Sequence, residues 1–483
     1  MVFSDLLFLF VYLPVFIVGY LLAAWFDKKV LTTDRLKPCM TTRNIVLMLF
    51  SLVFYSWGEP VYIFLMLICV LVNYLSGVGI AHFKGKGRKV SFWTGLLLDL
   101  GILATFKYLG FFADSLGMAG VTLDVPRLAL PIGISFYTFQ SISYLIDVYR
   151  REQKALYNYF DLLLYIAMFP QLIAGPIVRF GTVAKEIHSR TVSAQDVAEG
   201  SYRFIVGLTK KVIVANIMSE VVDLFLRDGL DTLSTPGAWI GILAFTLQIY
   251  FDFSGYSDMA IGIGRSLGFH FNENFNHPYV SRSITDFWRR WHMSLGSFFR
   301  DYVYIPMGGG RRRRVLNILT VWFLTGMWHG ASWNFIIWGL YFGLILMMEK
   351  QFLLPYAEKI PRLLLHCYAL FLIVVGWGIF YFDDLTRMGR FYRILFGCSG
   401  NPAGIVEHTA LTDNFWIWIA ALLLCIPLRG WVDDRLDRMA GSGGTYAQCG
   451  IAVGRALLCG VLLLCCVAML VGATNNPFIY TRF

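Results

Sequence analysis

The chain has 483 residues, of which 57% are hydrophobic and only 15% are charged, whereas a soluble domain has about 45–50% apolar and about 25% charged residues. This composition argues against a water-soluble globular protein and for one that is embedded in a lipid bilayer. The net charge of +10 is assigned to cytoplasmic loops, which retain Lys and Arg, rather than to nucleic-acid binding, for which no motif is present. Nine scattered cysteines without CxxC spacing indicate neither a disulfide framework nor a metal site.

The N-terminal part of the chain contains six predicted membrane-embedded runs, at residues 6–26, 45–57, 61–80, 90–106, 128–146 and 157–177. The first is about 21 residues long, enough to cross a hydrocarbon core of ~30 Å. We interpret it as a permanent anchor, because Asp5 stands where a signal peptide would carry basic residues. The sixth run contains Pro170, Gln171, Gly175 and Pro176. It therefore predicts broken backbone, which persists at membrane depth only inside protein or beside a water-filled cavity.

Seven further runs follow, at residues 204–226, 239–251, 316–328, 333–348, 363–382, 415–427 and 451–471. Lys210 and Lys211 interrupt the first of them. The pattern predicts an all-α polytopic membrane protein with about ten to twelve embedded helices, some of them short or re-entrant. No linker or internal repeat is evident, so residues 1–483 are expected to form a single membrane domain.

Positive charge on short loops predicts the orientation of the chain. The loop after the first run carries five basic residues, Lys28, Lys29, Arg35, Lys37 and Arg43, and the last two runs flank Arg429, Arg435 and Arg438. Both loops are therefore expected in the cytoplasm, and both termini outside it.

Residues 251–314 interrupt the hydrophobic pattern with aromatic, Arg, His, Asp and Asn side chains. On one helix face, Asp286 could meet Arg289 and Arg290, and Trp288 could meet His292. Two interpretations remain open: a basic interfacial helix whose arginines reach lipid phosphates, or a substrate site. The four arginines at 311–314 are interpreted as a topology signal.

His329 is the sharpest single feature of the sequence. It lies between the runs 316–328 and 333–348, about fourteen residues after Arg314, which corresponds to a rise of ~21 Å into the membrane. An ionisable residue at that depth indicates a functional site, and a histidine can take a proton from a hydroxyl nucleophile. The alternative is a neutral imidazole hydrogen-bonded between helices. The flanking Gly326 and Gly330 are expected to leave room for a substrate or a bend.

Asp252 and Asp258 form a second polar cluster. They could carry protons or ions, as in a transporter, but the bulky residues around them favour structural ion pairs. The chain has no G-x-S-x-G, Walker A, H-E-x-x-H or complete G-x-G-x-x-G motif, which argues against a hydrolase, a nucleotide-driven pump and a dehydrogenase.

The blocks at 251–264, 276–309 and 324–343, together with 136–140 (FYTFQ), 169–176 (FPQLIAGP) and 476–480 (NPFIY), resemble the membrane-bound O-acyltransferase family. The closest resemblance is to its bacterial, alginate O-acetyltransferase-like branch, with the core motifs at about residues 130–345. It implies a multi-pass helical protein of the bacterial inner membrane, with helices around a central tunnel. Such proteins pass an acyl group from a cytoplasmic thioester donor to a hydroxyl on the other side.

The resemblance also implies roles for individual residues. His329 matches the essential histidine of the family, and His292 falls where a second histidine or asparagine is expected. Arg289, Arg290 and Arg300 are candidates for binding the donor, Trp328 is a further candidate substrate-binding residue, and His292 or Asn334 could orient the donor or stabilise the oxyanion.

No permanently bound cofactor or metal is expected; the implied donor is acetyl-CoA. The implied partners are a periplasmic or surface acetyltransferase and an acceptor polysaccharide such as an alginate-like exopolysaccharide, cellulose or peptidoglycan. A sister branch transfers D-alanine from a carrier protein to teichoic acid, so the acyl group remains open. A transporter of polymer precursors and a non-catalytic scaffold remain as alternatives of other classes.

Overall fold

The computed structural model describes residues 2–31 and 41–473, and throughout these ranges the regular secondary structure is helical. Residues 35 and 37 of the first basic loop and the 476–480 motif lie outside the described residues. The chain divides into two compact units, residues 1–204 with 257–272 and residues 205–256 with 273–483. Two helices, α10 (Ala194–Thr209) and α12 (Thr235–Ser266), contribute residues to both units.

The first unit contains helices that are mostly long and apolar. They are α1 (Leu13–Phe26), α2 (Thr42–Gly58), α3 (Tyr62–His82), α4 (Gly85–Leu103), α5 (Leu109–Met118), α6 (Ile134–Arg150), α7 (Tyr159–Ala167), α8 (Phe169–Leu172), α9 (Phe180–His188) and α10 (Ala194–Thr209). Single π-helical turns at Phe8–Tyr12, Asp27–Leu31 and Ala104–Tyr108 extend α1 and join α4 to α5.

The second unit contains the helices that matter for the candidate site. They are α11 (Asn216–Val222), α12 (Thr235–Ser266), α13 (Ile284–Arg290), α14 (Met293–Phe299), α15 (Arg314–His329), α16 (Trp333–Met348), α17 (Arg362–Tyr381), α18 (Leu385–Leu395), α19 (Ile405–Thr412), α20 (Phe415–Leu424) and α21 (Leu428–Gly472). π-Helical turns lie at Lys210–Ala215, Asp223–Arg227, Arg300–Tyr304 and Glu349–Leu353, and 3₁₀ turns at Pro278–Val280 and Leu354–Lys359.

Seven helical segments among the described residues are long and apolar enough to cross a membrane. They are Phe8–Lys29, Tyr62–His82, Gly85–Met118, Thr235–Ser266, Trp333–Lys359, Arg362–Tyr381 and Tyr446–Gly472. Several of them expose large apolar side chains, such as Leu21, Leu22 and Leu464, as expected of helices that face lipid. The all-α, polytopic membrane architecture is thereby confirmed.

The predicted break in the run 157–177 is present. Helix α7 ends at Ala167, the four-residue α8 follows, and residues 173–179 are not helical. The break is buried: Pro170 and Gln171 are enclosed, and Phe169 packs against Phe54 and Phe16. Surrounding protein therefore shields this irregular backbone from lipid. The run predicted to begin at 128 was placed too early, because α6 begins only after Gly133.

The interruption predicted at Lys210 and Lys211 does not occur, and the helix predicted to end at residue 251 is longer. The chain is helical from Ala194 through Arg227, with changes to π-helical geometry at Lys210–Ala215 and Asp223–Arg227. Helix α12 continues through Asp252 and Asp258 to Ser266. The charges are neutralised by partners from other segments. Lys211 Nζ lies 2.8 Å from Asp252 Oδ1, and Arg203 lies 2.8 Å from Asp258 Oδ1.

These contacts favour the structural interpretation of the two aspartates, with a lysine rather than an arginine as the partner of Asp252. The basic stretch around residues 429–438 was expected to be a loop, but it is helical and forms the beginning of α21.

Candidate active site

A cavity of about 520 Å³ lies in the second unit, between α13, α14, α15 and the end of α16. Its walls include the aromatic rings of Trp288, Trp291 and Trp322 and the imidazole of His292. Most aromatic rings around it pack edge to face; Trp288 and Trp322, for example, have ring centroids 4.7 Å apart at an interplanar angle of 66°. Rigid aromatic walls with a few polar groups are typical of small-molecule sites.

Three cations line the same cavity: Arg289, Arg300 and Lys350. Arg289 lies near the end of α13 and is exposed, whereas Lys350 is partly buried and interacts electrostatically with Arg289 and Arg314. Arg300 Nε donates a hydrogen bond to Asp301 Oδ1 at 2.6 Å, and this hydrogen bond raises the pKa of the guanidinium. The concentration of positive charge suits an anionic ligand such as a phosphate ester.

Arg290 is not among the residues that line the cavity. Its Nε lies 2.9 Å from Asp286 Oδ1, one helical turn earlier, and a further N–H donates to the carbonyl of Asn276. The predicted contact between Asp286 and Arg290 is confirmed, and its effect is to stabilise α13 rather than to present Arg290 to a ligand.

His292 reaches the cavity because the helix ends before it. The expectation that Trp288 and His292 share a helix face was wrong: α13 stops at Arg290, Trp291 is extended, and His292 adopts the left-handed conformation (φ 44°, ψ 53°). That conformation is uncommon outside glycine and often marks a functional site. The imidazole packs against Phe253 (centroids 4.6 Å apart) and Trp328 (5.7 Å).

Asn274 stabilises this turn, although no sequence motif pointed to it. Its side-chain Oδ1 lies 2.9 Å from His292 Nδ1, and its carbonyl accepts the N–H of Met293, also at 2.9 Å. Asn276 donates its N–H to the carbonyl of Arg290, so residues 274–276 and 290–293 are bound to each other on both sides of His292. Burial lowers the pKa of His292 to about 3, which keeps the imidazole neutral.

His329 is the last residue of α15 and is 3% exposed. Its imidazole is surrounded by Trp328, Trp338 and Phe380, with ring centroids 5.0 to 5.3 Å away and interplanar angles near 80°. It does not line the cavity. Trp328 contacts both histidines, since its ring lies 5.0 Å from His329 and 5.7 Å from His292.

The glycines beside His329 leave no room for a substrate, but the bend that was the other expectation is present, since α15 ends at His329 and Gly330 is extended. A Cβ on Gly326 would lie 2.3 Å from the backbone oxygen of Phe335, and one on Gly330 would lie 2.2 Å from the Phe335 ring. These glycines instead let α15 and α16 approach closely, as small residues do between membrane helices.

Asn334 lies at the start of α16, is fully buried and is not a cavity residue. Its Nδ2 donates to the carbonyls of Ile379 and Phe380, at 3.3 Å each, and its Oδ1 accepts from Ser332. Because the amide is engaged on both sides, Asn334 joins the start of α16 to the end of α17, the segment that supplies Phe380 beside His329.

Glu349 is a second residue that the sequence did not single out. It follows α16, is 1% exposed, and accepts hydrogen bonds from the backbone N–H groups of Ile284 (2.6 Å) and Thr285 (2.8 Å) and from the Thr285 hydroxyl (2.7 Å). A carboxylate at this position satisfies the first N–H groups of α13 and complements its dipole.

Asn317 organises the loop that carries the four arginines. It is buried, and its amide donates to the carbonyls of Gly309 (2.9 Å) and Arg312 (2.8 Å). The arginines at 311–314 are all exposed. Among the residues that the structure describes, no group of three His, Cys, Asp or Glu side chains could hold a metal ion.

Comparison with known proteins matches the part of the chain that contains the cavity. The model of the membrane-bound O-acyltransferase family matches residues 135–388, about half of the chain. A probable alginate O-acetylase (AlgI) of Azotobacter vinelandii is 37% identical, with all of both chains covered. A peptidoglycan O-acetyltransferase of Helicobacter pylori is 32% identical over 83% of this chain and 80% of its own. A teichoic acid D-alanyltransferase of Bacillus subtilis is 30% identical over 46% of this chain and 59% of its own.

Proposed function

The chain belongs to the membrane-bound O-acyltransferase family and is an O-acyltransferase, and from this premise we propose that it moves an acetyl group from acetyl-CoA in the cytoplasm to an extracytoplasmic polysaccharide. The choice of acetyl over D-alanyl rests on relatives. Those named for acetyl transfer match over 82% or more of this chain, whereas the D-alanyltransferase matches over 46%.

The observation that carries the proposal is the arrangement of the cavity. Its cations, Arg289, Arg300 and Lys350, can bind the phosphates of CoA, and its tryptophans offer faces for the adenine or the pantetheine arm. His292 in the cavity wall and His329 beyond it both contact the single indole of Trp328. A donor whose thioester reached past His292 would approach the second histidine.

In the proposed reaction His329 is the general base. It takes the proton of the acceptor hydroxyl while the oxygen attacks the thioester carbonyl, and collapse of the tetrahedral intermediate breaks the C–S bond and releases the CoA thiolate. The aromatic rings around His329 exclude water and so limit hydrolysis of the thioester. Arg290 and Asn334, engaged elsewhere, have supporting roles in this scheme.

The direction of transfer follows from the charge distribution. The arginines at 311–314 lie at the beginning of α15 and Lys350 follows α16, and Lys350 lines the same cavity as Arg289 and Arg300. Such positive segments are retained in the cytoplasm. His329 lies at the other end of α15. We place the protein in the bacterial inner membrane, with a periplasmic or surface acetyltransferase as the partner that receives the acetyl group.

The first test compares cells that produce wild-type protein, His329→Ala or His408→Ala at matched levels. His408 is an exposed histidine of the same unit and serves as the control. We expect His329→Ala to abolish O-acetylation of the extracellular polysaccharide, because it removes the proposed general base, and His408→Ala to leave it unchanged. O-acetyl content is measured chemically, and D-alanine on cell-wall polymers by mass spectrometry.

The outcomes separate the alternatives. The polymer that loses acetyl groups identifies the acceptor. Loss of D-alanine instead of acetyl would assign the donor to a carrier protein. Unchanged polymers in His329→Ala cells would contradict the proposed role of this histidine and favour the scaffold or transporter interpretation.

A further inference from the structure

Asn274 binds His292 and the two residues that follow it. The asparagine is fully buried in the loop between α12 and the 3₁₀ turn at Pro278–Val280. Its Oδ1 lies 2.9 Å from His292 Nδ1 and accepts the hydroxyl of Ser294 at 2.8 Å, while its carbonyl accepts the N–H of Met293. Asn274 therefore holds both the imidazole of His292 and the backbone that follows it.

These contacts determine which atom of the asparagine faces the imidazole. The backbone N–H of Ser294 also points to the same atom, at 3.4 Å, and a backbone N–H can only donate. That atom must therefore be the carbonyl oxygen of the amide rather than its NH₂ group. An amide oxygen only accepts, so His292 Nδ1 must carry a hydrogen, and in a neutral imidazole Nε2 then carries the lone pair.

The tautomer limits what His292 can do. With Nδ1 bound to Asn274, Nε2 is the nitrogen that can serve a ligand in the cavity, and it serves as an acceptor. A neutral Nε2 acceptor cannot donate a hydrogen bond to an oxyanion, but it can accept one from the amide N–H of a pantetheine arm or from a hydroxyl. The low pKa of His292 supports a neutral imidazole at physiological pH.

We propose that Asn274 is a positioning residue that fixes His292 as the Nδ1–H tautomer, so that Nε2 accepts a hydrogen bond from the bound acyl donor. The role of the donor rests on the proposed function, whereas the tautomer does not. His292 is packed against Phe253 and Trp328, which are uncharged, and the charged groups that line its cavity are Arg289, Arg300 and Lys350. All three are cations, which further disfavour a protonated imidazole.

The direct test is ¹⁵N NMR of the histidine side chains in the full-length protein in lipid nanodiscs. The chain has eight histidines, and a His292→Asn sample assigns the signal. We expect Nδ1 protonated and Nε2 unprotonated in the wild type. Asn274→Leu should allow both tautomers. Ser294→Ala removes a hydroxyl that donates to the same oxygen and lies 3.4 Å from His292 Nδ1, but it leaves the Asn274 acceptor in place, so Nδ1 should remain the protonated nitrogen. Nε2 protonated in the wild type, or an unchanged tautomer in Asn274→Leu, would overturn the proposal.

A second variant covers the case in which Asn274→Leu does not fold. Asn274→Asp keeps an acceptor beside Nδ1, and its negative charge raises the pKa of His292. Below the raised pKa both nitrogens carry hydrogens and the acceptor at Nε2 is lost. The fall of kcat/KM at acidic pH should therefore begin at a higher pH in Asn274→Asp than in the wild type. At pH values above that range, kcat/KM should change little. A fall that begins at the same pH as in the wild type would contradict the proposal.

Kinetics with acetyl-CoA separate this proposal from the function on which it rests. A lost hydrogen bond to the donor should raise KM about tenfold in Asn274→Leu and leave kcat nearly unchanged. A fall in kcat alone would contradict donor positioning. A wild-type protein with the expected tautomer but no transfer from acetyl-CoA would refute the proposed donor while the tautomer assignment stands.

Discussion

Lys211 and Asp252 form an ion pair inside the second unit, and each side chain is only 2% exposed. The lysine also donates to Asn216 Oδ1 at 3.0 Å. Charges are costly in such surroundings unless they are paired and hydrogen-bonded. The pair is placed one residue before Phe253, whose ring packs against His292, so its geometry affects one wall of the candidate site.

Removing one partner should destabilise the protein strongly. We expect Asp252→Asn or Lys211→Met to cost about 3–5 kcal/mol, because the remaining group loses its partner in the interior. The double variant Lys211→Met/Asp252→Leu should recover much of this loss. Thermal unfolding in detergent measures the effect, with Asp228→Asn, in an exposed pair with Arg227, as a control expected to change little.

A double variant no more stable than the single ones would contradict a structural pair. The transporter interpretation makes the opposite prediction for function, since it requires the carboxylate of Asp252. Retained acyl transfer in the double variant would therefore argue against it.

Single residues also mark the limit of what the sequence predicts. His329 and His292 could be selected from the sequence because they stand in long motifs that resemble a known family. Asn274 lies two residues before the block at 276–309 and belongs to no such motif, and its importance comes from contacts with residues 18 to 20 positions away. Such contacts leave no periodicity in the sequence.

At the level of helices, α13 depends on a residue from another helix. Its seven residues are too few for a stable isolated helix, and its N-terminus is capped by Ser283, which accepts from the N–H of Asp286, and by the carboxylate of Glu349. The helix supplies Trp288 and Arg289 to the cavity and leads into His292. The end of α16 therefore fixes the beginning of the segment that forms the site.

Glu349→Gln should loosen α13 without unfolding the protein. The amide keeps one acceptor oxygen but loses the charge that complements the helix dipole, so we expect a loss of about 1–2 kcal/mol. Hydrogen exchange should become faster in residues 284–290 and remain unchanged in α18. Glu358→Gln, at an exposed position nearby, is the control, and equal exchange in both variants would contradict the capping role.

Hydrophobic runs predicted the helices well where charges bound them. The run predicted at 316–328 corresponds to the helix Arg314–His329, and the run predicted at 363–382 corresponds to the helix Arg362–Tyr381. The prediction was too short for α12, which is 32 residues long, because the hydrophobic run was ended at residue 251, just before Asp252 and Asp258. Their partners, Lys211 and Arg203, lie about 40 and 55 residues away in the chain, and a run of hydropathy values cannot reveal that the charges are neutralised.

At the level of the whole protein, the arrangement of charge predicts which side of the membrane each end of α15 faces. The helix begins at the arginines 311–314 and ends at His329, which contacts Phe380 near the end of α17. Residues that follow α17, including the exposed Cys398, should therefore lie on the side of His329. Positive charge places the arginines in the cytoplasm and Cys398 outside it.

Cysteine labelling tests this orientation. In a variant whose other cysteines are changed to serine, Cys398 should react with a membrane-impermeant maleimide in intact spheroplasts. Arg312→Cys, introduced together with Cys398→Ser, should react only after the membrane is permeabilised, because the arginine loop faces the cytoplasm. The two positions are matched in exposure and differ only in side. The reverse labelling pattern would place the cation-lined cavity outside the cell, where acetyl-CoA is absent, and would refute both the proposed donor and the proposed direction of transfer.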